Sequence, residues 1–201
     1  MKTSILAVIK DIFQTALISL GIFLLVYTFL VQPHRVRGDS MLPNFYDGEL
    51  MLTEKISYRF GIPARGDVIV FRATGSLNVD YVKRVIGLPG EVIEVNEGGI
   101  LINGQRLNEP YEPQQTGGHV EYRLGQNQYF VLGDNRGASS DSRSFGPIDK
   151  SSIKGKTWLV YWPITKSNQS KGLRMILKVD YSIPDTLDHR RSRFDIASGD
   201  N

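Results

Sequence analysis

The hydrophobic pattern of the chain changes character once, near residue 31. From Ile12 to Val31 twenty residues pass without a charge, Gln14 being the most polar of them. At a rise of 1.5 Å per residue, a helix over that run is about 30 Å long, enough to cross a bilayer. Beyond it no segment sustains a 3.6-residue apolar period; short apolar or alternating runs recur instead. Glu49 to Glu54 alternates, Val68 to Phe71 is continuously apolar, and Tyr81 to Ile86 mixes β-branched, aromatic and basic residues. Glu91 to Val95 and Ile100 to Ile102 lie on either side of Gly98-Gly99, and Gln128 to Leu132 and Trp158 to Trp162 complete the set. These runs predict strands, and together an all-β domain. The stretch between Asn103-Gly104 and Gly117-Gly118, with Pro110 and Pro113, reads as loop. From Asp185 onward the chain has too little apolar content to pack. The pattern thus divides the chain into a stub (1–11), an anchor (12–31), a β-domain (32–184) and a flexible tail (185–201).

A cleavable signal peptide competes with the anchor reading, because the run is N-terminal and follows Lys2 and Lys10. The run exceeds the usual apolar stretch of roughly 7–15 residues, and Val31-Gln32-Pro33-His34-Arg35 offers no small-x-small cleavage site. An uncleaved anchor is therefore expected. Charge does not orient it, since Asp11 offsets Lys2 and Lys10 while Arg35 and Arg37 lie just past the other end. A stub of that length can stay in the cytoplasm while the β-domain is exported, and the chemistry below favours that arrangement.

The formal net charge is +3 and there is no cysteine, which removes a disulfide framework. Lys150 to Arg193 holds ten Lys and Arg against three Asp. Such a run reads as a solvated surface or as a contact for anionic lipid headgroups. No motif points to nucleic acid. The three histidines, His34, His119 and His189, have no metal-ligand spacing, so neither a zinc site nor any cofactor is expected.

An alcohol nucleophile needs a base, and without a placed histidine the base must be something else. Lysine serves if it is neutral, and burial can lower its ordinary pKa of about 10.4 by as much as roughly 3–5 units. On a strand, Tyr81, Lys83 and Val85 share one face, so the nearest neighbours of Lys83 are aromatic and β-branched. Arg84 points the other way and stays charged. By itself Lys83 reads more readily as a snorkelling lysine on a half-buried strand. Gly38-Asp39-Ser40 likewise reads as ordinary turn chemistry.

Four segments in order change this reading: Gly38-Asp39-Ser40-Met41-Leu42-Pro43, Arg65 to Phe71, Tyr81 to Glu91, and Gly133 to Arg143. They resemble the sequence boxes of type I signal peptidases, the membrane-bound leader peptidases that remove signal peptides from exported proteins. The resemblance covers the anchor and nearly all of residues 36–147, with Gly133 to Gly146 its most specific part. It implies coiled antiparallel β-sheets behind one membrane span, in a compact form without a large second β-domain. It makes Ser40 the nucleophile and Lys83 the general base, with Ser139 helping to orient the lysine and Asp134, Asp141 and Arg143 bracing the site. Asp141 and Arg143 also read as a structural ion pair. Met41, Tyr81 and Val82 match positions lining shallow pockets for small residues, and Val36 and Phe45 are further candidates. The implied partners are signal-peptide-bearing preproteins and membrane lipid; the implied place is a bacterial-type plasma membrane or a thylakoid membrane, with the N-terminus cytoplasmic. Some members carry a serine two positions before the nucleophile where this chain has Gly38, which leaves backbone N–H groups, that of Ser40 foremost, to stabilise an oxyanion.

Rival motifs are weaker. Ser151-Ser152-Ile153-Lys154 matches Ser-x-x-Lys, but the accompanying Ser-Asp-Asn and Lys-Thr-Gly are missing. Gly155-Lys156-Thr157 lacks the first glycine of a phosphate loop, where Lys150 stands. Arg65-Gly66-Asp67 is explained by a turn leading into a strand. A self-cleaving repressor-type protease would need a DNA-binding helical domain in place of the apolar run. A membrane-anchored β-domain without chemistry would leave Ser40 and Lys83 dispensable.

Overall fold

The N-terminal apolar run is helical in the computed structural model, which describes residues 5–73, 79–109, 116–176, 179 and 181. Helix α1 (Ile5–Leu25) continues through a π-helical turn at Val26–Leu30. Ala7–Leu30 is long and apolar enough to cross a membrane, and no residue of its most apolar stretch is buried within the protein. A core helix would hide Phe13, Ile18 and Phe23, which here stand exposed. The helix is already formed at Ile5, ahead of Ile12, because Lys10 and Asp11 end the apolar stretch without ending helical propensity. Val31, expected as the last residue of the span, is the first residue of a strand.

Twelve strands follow among the described residues: β1 (Val31–Arg35), β2 (Leu50–Glu54), β3 (Val68–Arg72), β4 (Asp80–Gly87), β5 (Val92–Asn96), β6 (Gly99–Ile102), β7 (Gln105–Arg106), β8 (Val120–Arg123), β9 (Gln128–Leu132), β10 (Ile148–Asp149), β11 (Ile153–Trp162) and β12 (Arg174–Met175). Only single helical turns interrupt them, such as Ser57–Phe60 and Ser142–Phe145. The larger sheet has the order β1-β2-β11-β3-β4-β9-β10, with β12 added on β11; the smaller has the order β7-β6-β5-β8. Every strand pairing is antiparallel, as the all-β expectation required.

The continuous apolar run of β3 has a direct cause: the strand is buried on both faces. Val68 and Val70 pack with Met41, Met51 and Val160, while Ile69 and Phe71 pack with Val85, Tyr129 and Val131. Strand β4 divides in the same way, Val82 lying against the first group and Tyr81 and Val85 against the second. The smaller sheet builds a third core from Ile93, Val95, Ile100 and Ile102, closed by Ile86, Phe130 and Leu132 of the larger sheet.

Some elements depart from the sequence reading. Strand β1 carries Pro33, a residue that argues against a strand, but β1 is an edge strand paired only with β2, where a missing N–H is tolerated. Strand β8 follows Gly117-Gly118 and turns Val120 and Tyr122 onto the third core. Asn103 and Gly104, with φ of 53° and 79°, make a tight hairpin turn between β6 and β7 rather than opening a loop. Pro110, Pro113, His189 and the tail from Asp185 lie outside the described residues. Much of the basic segment within the described residues is committed to structure, since Lys154, Lys156 and Arg174 pair with Asp80, Asp67 and Glu49.

Candidate active site

Ser40 sits in a turn held from both sides. Gly38 has φ +76°, a conformation that favours glycine, and its N–H donates to Asp47 Oδ1 at 2.8 Å. Downstream, Leu42 N–H donates to Asp39 O at 3.1 Å and Phe45 N–H to Met41 O at 2.9 Å. Met41 and Phe45 are buried in the core beside Val36, which pins the turn to the sheet. From the far side, Asn135 donates its backbone N–H to Ser40 O at 3.0 Å and its side-chain amide to Asp39 O at 3.1 Å. Gly133 lets the two loops meet, because a Cβ there would lie 2.5 Å from Ser40 O and 2.2 Å from Ser139 Oγ.

Lys83 comes from the middle of β4, opposite Ile69 of β3. Only 4% of it is exposed, and its Nζ lies 2.7 Å from Ser40 Oγ, joining positions 43 residues apart. Burial lowers its pKa to about 8, against the opposing pull of the Asp141 and Asp134 carboxylates. The Tyr81 ring centroid is 5.6 Å from Nζ, so the expected same-face neighbour is in place.

The loop from Gly133 to Arg143 is braced by one fully buried ion pair and one part-buried one. Asp134 accepts from Arg84 Nε at 2.8 Å and Nη2 at 2.6 Å, and from Asn44 Nδ2 at 2.9 Å. Arg84 also donates to Gly66 O at 2.9 Å. Asp141 accepts from Arg143 Nε at 2.8 Å and Nη2 at 2.9 Å, and from Gly133 N–H at 3.1 Å. Burial would raise the Asp141 carboxyl, but the Arg143 guanidinium, the neighbouring Ser139 hydroxyl and the Gly133 N–H together hold it below the ordinary carboxylate value. Arg143 reaches on to Arg136 O and Gly117 O, tying the loop to the segment before β8. Ser139 Oγ is buried, and in this conformation it makes no well-formed hydrogen bond, to Lys83 or elsewhere.

A cavity of about 240 Å³ opens at Ser40 and Lys83 and is walled by Val36, Met41, Tyr81 and Val82. Phe45 is the exception among the expected wall residues. It is fully buried with the Arg174 guanidinium 5.7 Å from its ring centroid, and it fills the core behind Met41 rather than facing the cavity. Neither His34 nor His119 reaches the cavity. Sequence reasoning missed Arg35, Arg37, Asp80 and Ser140, which also line it, and left Arg84, Asn44, Gly133 and Asn135 without a part. The positive φ of Gly38 and the close approach of Gly133 were hinted at by glycines flanking the Ser40 and Asp134 motifs; the Arg84 partnership had no local signal.

The Ser-x-x-Lys segment lines a larger groove of about 400 Å³, but its lysine is committed elsewhere. Lys154 Nζ is 2.7 Å from Asp80 Oδ2, so it is paired rather than held neutral beside Ser151.

Fold and site together set a buried lysine amine against a serine hydroxyl in an antiparallel β-domain, where serine hydrolases usually carry an imidazole. The chain belongs to the signal peptidase family, peptidase S26, whose family model matches residues 9–162. It is 38% identical over 170 residues to a signal peptidase I of Leptolyngbya laminosa, covering 79% of this chain and 80% of that protein. Over 164 residues it is 35% identical to signal peptidase IB of Staphylococcus aureus, covering 72% and 85% respectively. A crystal structure of a signal peptidase I from Enterococcus faecalis matches with 31% identity and a TM-score of 0.42, over 48% of this chain and 97% of the other. The chain is thus a serine endopeptidase of the family that removes signal peptides, as the four segments implied.

Proposed function

We propose that this protein is a single-span membrane endopeptidase that cuts signal peptides after small-x-small sites, with Ser40 as nucleophile and Lys83 as general base. The observation that carries the reading is the 2.7 Å separation of Lys83 Nζ and Ser40 Oγ in a setting that lowers the lysine pKa to about 8. Neutral Nζ takes the Oγ proton as Oγ attacks the scissile carbonyl. The resulting oxyanion is met by the Ser40 backbone N–H, which donates to no group among the described residues. Protonated Nζ then delivers its proton to the departing amine, leaving an acyl ester on Ser40. Lys83 next deprotonates a water that releases the signal peptide. Asp134, Asp141 and Arg143 act by holding the loop from Gly133 against the nucleophile turn, and Ser139, carried on that loop, orients Lys83 when its hydroxyl turns toward Nζ.

The sign of the pH dependence follows from the lowered lysine value. Protonated lysine cannot accept the serine proton, so activity rises with pH as Lys83 deprotonates, half-maximal near pH 8 and level above it. At pH 7 roughly a tenth of the molecules carry the free amine. A pH–rate profile on the full-length protein in detergent checks this. A midpoint near that of free histidine, abolished by mutating His34 or His119, would assign catalysis to imidazole instead.

Substrate choice follows from the walls of the cavity. The Asp80–Lys83 half of β4 pairs with β3 on one side, whereas β9 pairs with β4 only from Arg84 onward. An extended signal-peptide segment can add along that free edge and send alternate side chains toward Met41, Val36 and Val82. Replacing alanine by leucine at the residue before the cut should lower preprotein processing at least about 100-fold, because steric overlap in a closed wall costs more than a missing methylene. Glycine or serine should be tolerated, and Met41→Ala should recover part of the leucine substrate. Wild-type cleavage after leucine as fast as after alanine would refute this specificity.

The apolar helix supports anchoring in a bacterial-type plasma membrane or a thylakoid membrane, with residues 1–11 cytoplasmic and the β-domain on the far side. Preproteins and lipid are then its partners, and nucleic acid is not. The anchor concentrates the site at the surface where its substrates are tethered.

A further inference from the structure

Two arginines that the catalytic reading leaves unused line the same cavity, Arg35 and Arg37. Both are exposed, and neither guanidinium makes a hydrogen bond or an ion pair among the described residues. Other cations around the site are committed: Lys154 to Asp80, Arg84 to Asp134 and Arg143 to Asp141. Asp80 lines the cavity too, but its charge is already met by Lys154, and Asp39 beside Ser40 is not part of the wall. The polar flank of the cavity is therefore positive.

The direction of that flank is set by backbone geometry. Val36 continues the β1–β2 pairing, donating to Glu49 O at 2.8 Å and accepting from Gly48 N–H at 3.0 Å. Extended residues face alternate sides, so Val36, only 3% exposed, turns to Met41 and Val82 while Arg35 and Arg37 turn out together. A substrate segment extended between this stretch and the free edge of β4 alternates in the same way. Its two small side chains enter the apolar wall, and the side chain between them emerges on the side of the arginines. We propose that Arg35 and Arg37 form an electropositive subsite that favours an acidic side chain at the middle position of the small-x-small site, two residues before the cut. The inference rests on the proposed Ser40–Lys83 chemistry and its small-residue pockets.

The test uses the full-length protein in detergent and three matched peptides carrying Ala-Asp-Ala, Ala-Asn-Ala or Ala-Lys-Ala before the cut. The expected kcat/KM order is Asp over Asn over Lys, with an Asp-to-Lys ratio of about ten that shrinks as salt is added. In the Arg35→Glu/Arg37→Glu double variant the ratio should invert, and the single variant Arg37→Gln should bring it part of the way to one. Because the readout is a ratio between peptides, a general loss of rate does not imitate it. A wild-type ratio near one, or a ratio unchanged in the double variant, overturns the subsite. So does a double variant that loses binding to vesicles of anionic phospholipid while keeping the wild-type ratio, since the arginines would then face lipid headgroups. Failure to cut Ala-Asn-Ala at all strikes the proposed peptidase specificity itself; cleavage of Ala-Asn-Ala without charge preference removes only the arginine subsite.

Discussion

Replacing Lys83 by arginine should abolish preprotein cleavage as completely as replacing it by alanine or removing the Ser40 hydroxyl. Arginine keeps a positive charge and reaches at least as far as lysine, but its guanidinium does not deprotonate, and the role assigned to Nζ is that of a base. The expected loss is at least about a thousand-fold in kcat/KM, the scale on which removing one member of a concerted nucleophile–base pair is felt. Arg84, one residue along the same strand, already shows how the protein houses a buried guanidinium, with a carboxylate on two of its nitrogens. Position 83 offers no such arrangement, so Lys83→Arg also carries a folding cost. Lys83→Met separates the two effects, since it keeps the stem, removes the desolvated amine and leaves the core packed. It should be as inactive as the arginine variant while melting no lower than wild type. Substantial cleavage by Lys83→Arg, measured on a preprotein with the full chain in detergent, would eliminate the dyad.

Asp134→Ala should be the most damaging single change to stability near the site. The Arg84 and Asp134 side chains are 3% and 1% exposed. Removing the carboxylate takes away both charge-assisted contacts of a buried guanidinium, which keeps Gly66 O. Breaking a buried pair from one side costs about 3–5 kcal/mol, which for a domain of this size lowers Tm by about 6–20 °C. The loss should extend to activity, because Asp134 also receives the Asn44 amide and so ties the loop at Gly133 to the turn that carries Ser40. Asp134→Asn should fall between wild type and alanine. The double variant Arg84→Met/Asp134→Leu should recover most of the lost stability, since an apolar pair of similar volume removes the desolvation cost altogether. A melting temperature for Asp134→Ala within a degree or two of wild type would show that the pair is not the brace described here.

The Lys83 and Asp134 results depend on the same sheet in different ways, and only one of them was foreshadowed in the chain. Period-two alternation placed Lys83 between Tyr81 and Val85 and sent Arg84 to the other face, which the structure bears out. What Arg84 meets there is an aspartate 50 residues away, and no local pattern encodes that distance. Phe45 shows the reverse error. It follows the nucleophile motif closely enough to look like part of a substrate pocket, yet its direction is set by the turn after Met41, which points it inward. Strand β1 was not among the predicted strands, and the proline it carries, Pro33, is harmless only because β1 lies at the sheet edge.

The sequence by itself determined the membrane-length helix, the β character of the rest, and the family, because these rest on local quantities: an unbroken apolar run, short alternating segments, and four motifs in order. It also supplied Ser40 and Lys83, the proposed nucleophile and base, by residue type. The tertiary structure alone decided that the two meet at 2.7 Å, that Lys83 is buried enough for its pKa to fall to about 8, and that Arg35 and Arg37, though exposed, line the cavity. Desolvation and reach depend on which distant segments pack around a side chain. Here those segments are β3, β9 and the loop from Gly133, brought together by antiparallel pairing across the sheet. A strand pattern names the face on which a residue lies; only the assembled sheet says what lies opposite it.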